Sequence, residues 1–283
     1  MGTIAQFFGS LLRILYEFFG SYGWALIAFT FIVNIILLPL TYKQQKSTAG
    51  LQKIQPQLAE IQKKYKDNKE KLGQEQMKLY QDNGINPIGG CLPLLIQLPI
   101  IFVLFMVIRE PLKYMFGLSV EQISALSDLI GNIDVRAGFE QIEIARNLTV
   151  QIIEKAGLTG ILPIIDFNFL GLDLAATPSW STFNLLWVIP ILSALTSWLL
   201  NKIMQAQTPQ PTAGADGGSA AQSMQTMNKI MPLMSAYFTF LFPAGMGLYW
   251  IIGNVARIAA QYGISWFLKK NKDPLVIDTK TGK

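Results

Sequence analysis

Gly23-Trp24-Ala25-Leu26-Ile27-Ala28-Phe29-Thr30-Phe31-Ile32-Val33-Asn34-Ile35-Ile36-Leu37-Leu38-Pro39-Leu40 is apolar almost throughout. At about 1.5 Å rise per residue, a helix over 23–40 crosses most of a bilayer. Asn34 sits near the middle of that stretch, and a polar amide at membrane depth is costly enough to need a reason. Pro39 follows, then a Lys-rich segment with helical periodicity, then a second apolar run. The polar residue thus belongs to a plan of several spans rather than to a soluble core.

The composition agrees with that plan. Of 283 residues, 51% are hydrophobic and 14% charged, with a mean hydropathy of +0.34, values of a polytopic membrane protein. There is no histidine, and Cys91 is the only cysteine. A Cys/His metal site, a His-based catalytic triad and an intrachain disulfide are therefore excluded. The net charge of +5 is not gathered on one face; its signs separate by segment, which reads as a topology signal rather than a nucleic-acid surface.

Further apolar runs at 91–108, 183–200, 230–242 and 247–267 bring the expected spans to five. Nine lysines stand against five acidic residues over 43–86, five basic against nine acidic over 109–181, and five lysines against two aspartates from Lys269 onward. The positive-inside rule then puts 43–86 and the C-terminus in the cytoplasm and the N-terminus outside. An odd number of spans satisfies this parity.

The expected organisation is an interfacial amphipathic helix on the extracellular side over 1–22, transmembrane helix 1 at 23–42, a cytoplasmic helical hairpin at 43–86 and transmembrane helix 2 at 87–108. An extracellular loop with short helices covers 109–182, transmembrane helix 3 covers 183–202, and a flexible cytoplasmic loop rich in Ala, Gly, Pro and Gln covers 203–226. Transmembrane helices 4 and 5 take 227–243 and 244–268, and a basic tail takes 269–283. In the hairpin, Leu51, Ile54, Leu58, Ile61 and Tyr65 alternate spacings of three and four, one apolar stripe that Asp67-Asn68 ends. Pro56 is expected to kink or restart that helix.

Polar side chains within the spans mark the candidate site. Trp250, Asn254, Arg257 and Gln261 are spaced four, three and four apart, one face of a helix. Thr30 and Asn34 share a face of the first span, and Ser193 and Ser197 repeat at four in the third. Gln97 is the only amide in the second apolar run. Small hydroxyls at such spacings also serve helix packing.

Asn86-Pro87-Ile88-Gly89-Gly90-Cys91-Leu92-Pro93-Leu94-Leu95-Ile96-Gln97-Leu98-Pro99-Ile100 closely resembles the signature of the YidC/Oxa/Alb family of membrane protein insertases. Phe242-Pro243-Ala244-Gly245-Met246-Gly247-Leu248-Tyr249-Trp250, followed by Asn254, resembles the entry to that family's last span, and Leu37-Leu38-Pro39-Leu40 resembles the end of its first. The resemblance implies an all-α polytopic membrane protein with five transmembrane helices, a cytoplasmic helical hairpin and a hydrophilic groove open to the cytoplasm. It implies a non-enzymatic function, insertion and folding of segments with short extracellular tails, in a bacterial plasma membrane of the single-membrane, short-form type. Thr30, Asn34, Gln97, Ser193, Ser197, Tyr249, Trp250, Asn254, Arg257 and Gln261 are the expected substrate-binding groove residues. Nascent membrane proteins and membrane lipids are the expected partners, the ribosome and Sec translocon are further candidates, and no cofactor, metal or nucleic-acid substrate is expected.

One departure bears on mechanism. Members of the family usually carry an arginine where Asn34 stands, so Arg257 is expected to supply the groove's positive charge. Two rival readings are weaker. A channel or transporter using the same polar faces would be expected to show internal repeats or paired broken helices, and no convincing repeat links the two halves. An intramembrane enzyme needs paired carboxylates or an activated nucleophile, and none of the five expected spans contains Asp or Glu.

Overall fold

The computed structural model describes residues 2–84, 92–131, 138–207, 230 and 232–270, with the backbone alone at 44, 47–49, 51–52, 92–98, 206–207 and 268–270. The first half of the Asn86–Ile100 motif, most of the 203–226 loop and the tail beyond 270 lie outside the described residues. The described chain is mostly helical: α1 (Gly2–Phe19), α2 (Tyr22–Ile36), α3 (Leu38–Lys64), α4 (Lys69–Asp82), α5 (Leu92–Arg109) and α6 (Pro111–Tyr114) come first. After them come α7 (Val120–Ile130), α8 (Glu140–Arg146), α9 (Val150–Lys155), α10 (Val188–Gln207), α11 (Pro232–Leu241) and α12 (Ala244–Lys270). Between α9 and α10 a ribbon of two short antiparallel strands, β1 (Asn168–Phe169) and β2 (Leu172–Asp173), is the one departure from an all-helical plan among the described residues.

One described helix, Leu185–Gln205, is long and apolar enough by itself to cross a membrane. Tyr22–Ile36, Pro99–Arg109 and Pro232–Leu241 are shorter apolar helices. The apolar stretch 23–40 is divided because α2 ends at Ile36 and Pro39 sits in the first turn of α3. Proline is harmless there, since first-turn N–H groups have no intrahelical acceptor. Pro190 likewise falls in the first turn of α10, whereas Pro99 and Pro56 lie inside helices. α3 runs past Pro56 to Lys64 without restarting.

The chain divides into two compact units. The first comprises 1–33, 98–194 and 234–253. In it, α1 buries Ala5, Gly9, Leu12 and Tyr16 along one face and exposes Phe7, Ile14 and Phe18 on the other. Gly9 permits the close approach to α6: a Cβ there would lie 2.0 Å from the Tyr114 carbonyl oxygen. The Tyr16 hydroxyl donates to the Ile164 carbonyl at 3.1 Å and accepts from the Asp166 N–H at 3.1 Å, fixing the strand-bearing segment to α1. Tyr22 stacks edge-on against Phe167 at 4.9 Å, and Arg146 pairs with Asp173 at 2.7 Å.

The second unit comprises 34–97, 195–233 and 254–283. Its α3 and α4 pack as a hairpin, turned by 65–68, with the Asn68 side chain accepting from the Lys71 N–H at 3.0 Å as the N-cap of α4. That bond satisfies one of the four unpaired N–H groups at a helix start. Partial burial raises the Tyr80 phenol above its ordinary pKa.

Leu170 and Gly171 form the two-residue loop between β1 and β2, both with positive φ, 54° and 80°. Such a loop suits Asn-Gly, because a Cβ in the left-handed region meets the following carbonyl. Leu170 is 78% exposed, so few protein contacts offset its strain. Replacing Leu170 with Asn is expected to stabilise the protein by about 1 kcal/mol, seen as a raised thermal unfolding midpoint in detergent. A lowered midpoint would mean that the leucine side chain is held by contacts that outweigh the strain.

Candidate functional site

The polar stripe of α12 centres on Asn254, which is 2% exposed. Its amide nitrogen donates to Ser197 Oγ at 2.9 Å and to Thr196 Oγ1 at 3.1 Å, both on α10, and its carbonyl oxygen accepts from Arg257 Nη2 at 3.0 Å. One side chain therefore satisfies two hydroxyl acceptors and one guanidinium donor. A buried amide left without such partners costs several kcal/mol in an apolar medium. The spacing of three between Asn254 and Arg257 puts both on one helix face, so the amide that ties α12 to α10 also orients the half-buried guanidinium.

Gln261, one turn further along α12, accepts from the Gln45 amide of α3. Two amides held together at a helix contact tie the base of the hairpin to α12. Asn34 is half-buried near the end of α2.

In the first unit, the candidate hydroxyls have structural partners. Ser193 is fully buried and shares a 2.5 Å hydrogen bond with Ser235 of α11. Thr30, also fully buried, donates to the Leu26 carbonyl one turn back at 2.6 Å, the local bond by which a helix absorbs a hydroxyl. Tyr249 and Trp250 are half-buried on α12. The side chain of Gln97 lies outside the described residues.

The structure thus joins Ser197, Asn254 and Arg257 directly and assigns Ser193 a separate partner, although four-residue spacing alone puts Ser193 and Ser197 on one face. Thr196 and Gln45 were not singled out from sequence. Thr196 lies next to Ser197, and its signal was a second hydroxyl opposite an amide with two N–H donors. Gln45 lay in a Lys/Gln-rich run that carried no signal of its own. Among the described residues no group of three or more His, Cys, Asp or Glu could hold a metal.

A family model described as 60Kd inner membrane protein matches residues 14–272. The membrane protein insertase YidC of Clostridium perfringens is 37% identical over 235 residues, 83% of this chain and 74% of that protein. Its counterpart in Fusobacterium nucleatum is 30% identical over 261 residues, 92% of this chain and 94% of that protein. An inner membrane ALBINO3-like protein 2 from the Chlamydomonas reinhardtii chloroplast is 29% identical over 275 residues, 95% of this chain and 57% of that protein.

Replacing Asn254 with Ala removes its bonds to Ser197, Thr196 and Arg257. The expected loss is about 1–3 kcal/mol, read as a lowered unfolding midpoint in detergent. In a double-mutant cycle Asn254→Ala and Ser197→Ala should be non-additive by more than about 0.5 kcal/mol; simple additivity would mean that the two side chains do not act as a pair.

Proposed function

Because the chain belongs to the 60Kd inner membrane protein family, that of the YidC/Oxa/Alb insertases, we propose that it is a membrane protein insertase whose passengers meet a positive, hydrogen-bonding site centred on Arg257 and Asn254. The observation that carries this reading is the Asn254 network, which holds a guanidinium on a membrane helix by a neutral amide. The amide is neutral, so this bond orients the guanidinium without itself bringing a counter-charge to it.

The mechanism follows from the bilayer as solvent. A passenger's polar tail must cross a low-dielectric layer, and a hydrated groove reaching partway shortens that crossing. We assign the chain the topology read from its charges: N-terminus outside, C-terminus and the α3–α4 hairpin in the cytoplasm of a bacterial cell, and five spans. The tail enters from the cytoplasm, pairs with Arg257, and moves outward as its apolar segment slides into lipid. Partition of that segment supplies the driving free energy. The membrane potential adds about 2.3 kcal/mol per acidic charge for each 100 mV.

Ser197 and Asn254 are positioning groups for Arg257 in this scheme, and Thr196 joins them. Thr30, Asn34, Ser193, Trp250 and Gln261 enter as groove residues on their spacing within their own helices, Gln97 as the one amide of the second apolar run, and Tyr249 as part of the family-like motif at the start of the last span. Nascent membrane proteins are the passengers, and the hairpin is the proposed first contact for passenger, ribosome or Sec translocon.

The test is reconstitution of the purified chain alone in liposomes, with a single-span passenger made in two forms, one with a short acidic tail and one with a neutral tail. Protease protection of both forms above empty liposomes is expected. Arg257→Ala should lower protection of the acidic form several-fold and leave the neutral form nearly unchanged, with Arg257→Lys intermediate. Equal loss for both tails would contradict the charge-based reading, and no protection by folded wild-type protein would contradict insertion by this chain alone.

A further inference from the structure

The second unit contains an open apolar groove of about 730 Å³. Leu38 and Pro39, at the start of α3, line it together with Ala260 and Gly263 of α12. Tyr42 and Phe267, packed edge to face at 6.3 Å, are on the lining, and among the described residues Lys43 is the only charged one there.

Gly263 is the informative residue. A glycine inside a helix weakens it, and is usually kept where a neighbour comes too close for a Cβ. That explains Gly247, where a Cβ would lie 2.2 Å from Ile189 Cγ2. At Gly263 a Cβ would meet no protein atom within 4 Å. The space that glycine leaves is therefore filled by no part of the described protein, and it opens into the groove.

Position and charge identify the occupant. Counted from Ala244, Gly263 lies roughly 28 Å along α12, close to the full hydrocarbon thickness and so near the far headgroup boundary. Tyr262 and Trp266 beside it are 59% and 64% exposed, as aromatic residues are at a membrane interface. Lys43 is exposed at the groove edge and makes no ion pair with the described carboxylates. An apolar slot at interface depth with an ammonium at its mouth matches a phospholipid acyl chain below an anionic headgroup.

We infer that this groove is a binding site for an anionic phospholipid of the leaflet facing the C-terminal end of α12, with one acyl chain over Gly263 and Ala260 and the phosphate at Lys43. The lipid completes the packing between α3 and α12 that the protein leaves open. The site goes beyond the insertion reading and rests on the proposed placement of α12 across the membrane.

The experiment uses the full chain in phosphatidylcholine liposomes containing a minority of phosphatidylglycerol that carries a photoactivatable diazirine at its acyl terminus. Mass spectrometry then locates the cross-links. Labelling is expected to concentrate on 259–267 and to be competed better by unlabelled phosphatidylglycerol than by phosphatidylcholine. Gly263→Leu, which fills open space, should lower labelling there several-fold without lowering the unfolding midpoint, and Ala260→Leu is a second plug. Lys43→Gln should reduce the preference for the anionic lipid by about fivefold, the effect of one lysine near an anionic surface. Labelling spread evenly over the lipid-facing helices, or unchanged by both plugs, would overturn the site. So would cross-linking of a passenger helix at Gly263 with no lipid label there.

Discussion

A polar group buried between helices must find a partner, because packed apolar side chains cannot replace water. Asn254 meets this constraint by linking Ser197 and Thr196 on one helix to Arg257 on its own. The same bonds do two things: they hold α12 to α10 and they fix where a guanidinium points. Stability and electrostatics in this region therefore depend on one amide, and a change that frees it alters both.

The constraint also explains how other polar side chains are accommodated. Ser193 and Ser235 satisfy each other, Thr30 is absorbed by its own helix, and Gln45 and Gln261 pair as amides. None of these bonds carries net charge. The contrast leaves Arg257 as the one charged member of the stripe Trp250, Asn254, Arg257 and Gln261, the property the proposed insertion mechanism uses. An arginine suits this role, since its planar fork can bond an amide with one nitrogen and present the others to a carboxylate.

Much of this was legible in the sequence, for physical reasons. Helical periodicity fixed the shared face of Asn254 and Arg257, and apolar runs coincide with the long apolar helix Leu185–Gln205 and with the shorter apolar helices Tyr22–Ile36, Pro99–Arg109 and Pro232–Leu241. The division of 23–40 at Ile36 was harder to see, because its cause is a proline acting on the first turn of the next helix rather than a break in hydrophobicity. Partners across helices, Thr196 for Asn254 and Gln45 for Gln261, depend on helix rotation that periodicity within one helix does not contain. The β1–β2 ribbon was hidden for a similar reason: its loop carries Leu170 where turn chemistry calls for Asn or Gly.

The central claim is that positive charge at position 257, rather than the shape of the arginine, is what passengers with acidic tails use. It is tested most directly by chemical rescue in a Cys91→Ser background: Arg257→Cys protein in liposomes is modified with methanethiosulfonates that attach a cationic, a neutral or an anionic group. The account predicts that the cationic adduct restores protease protection of an acidic-tailed passenger, that the neutral adduct does not, and that the anionic adduct lowers it further. Equal protection with all three adducts would contradict it.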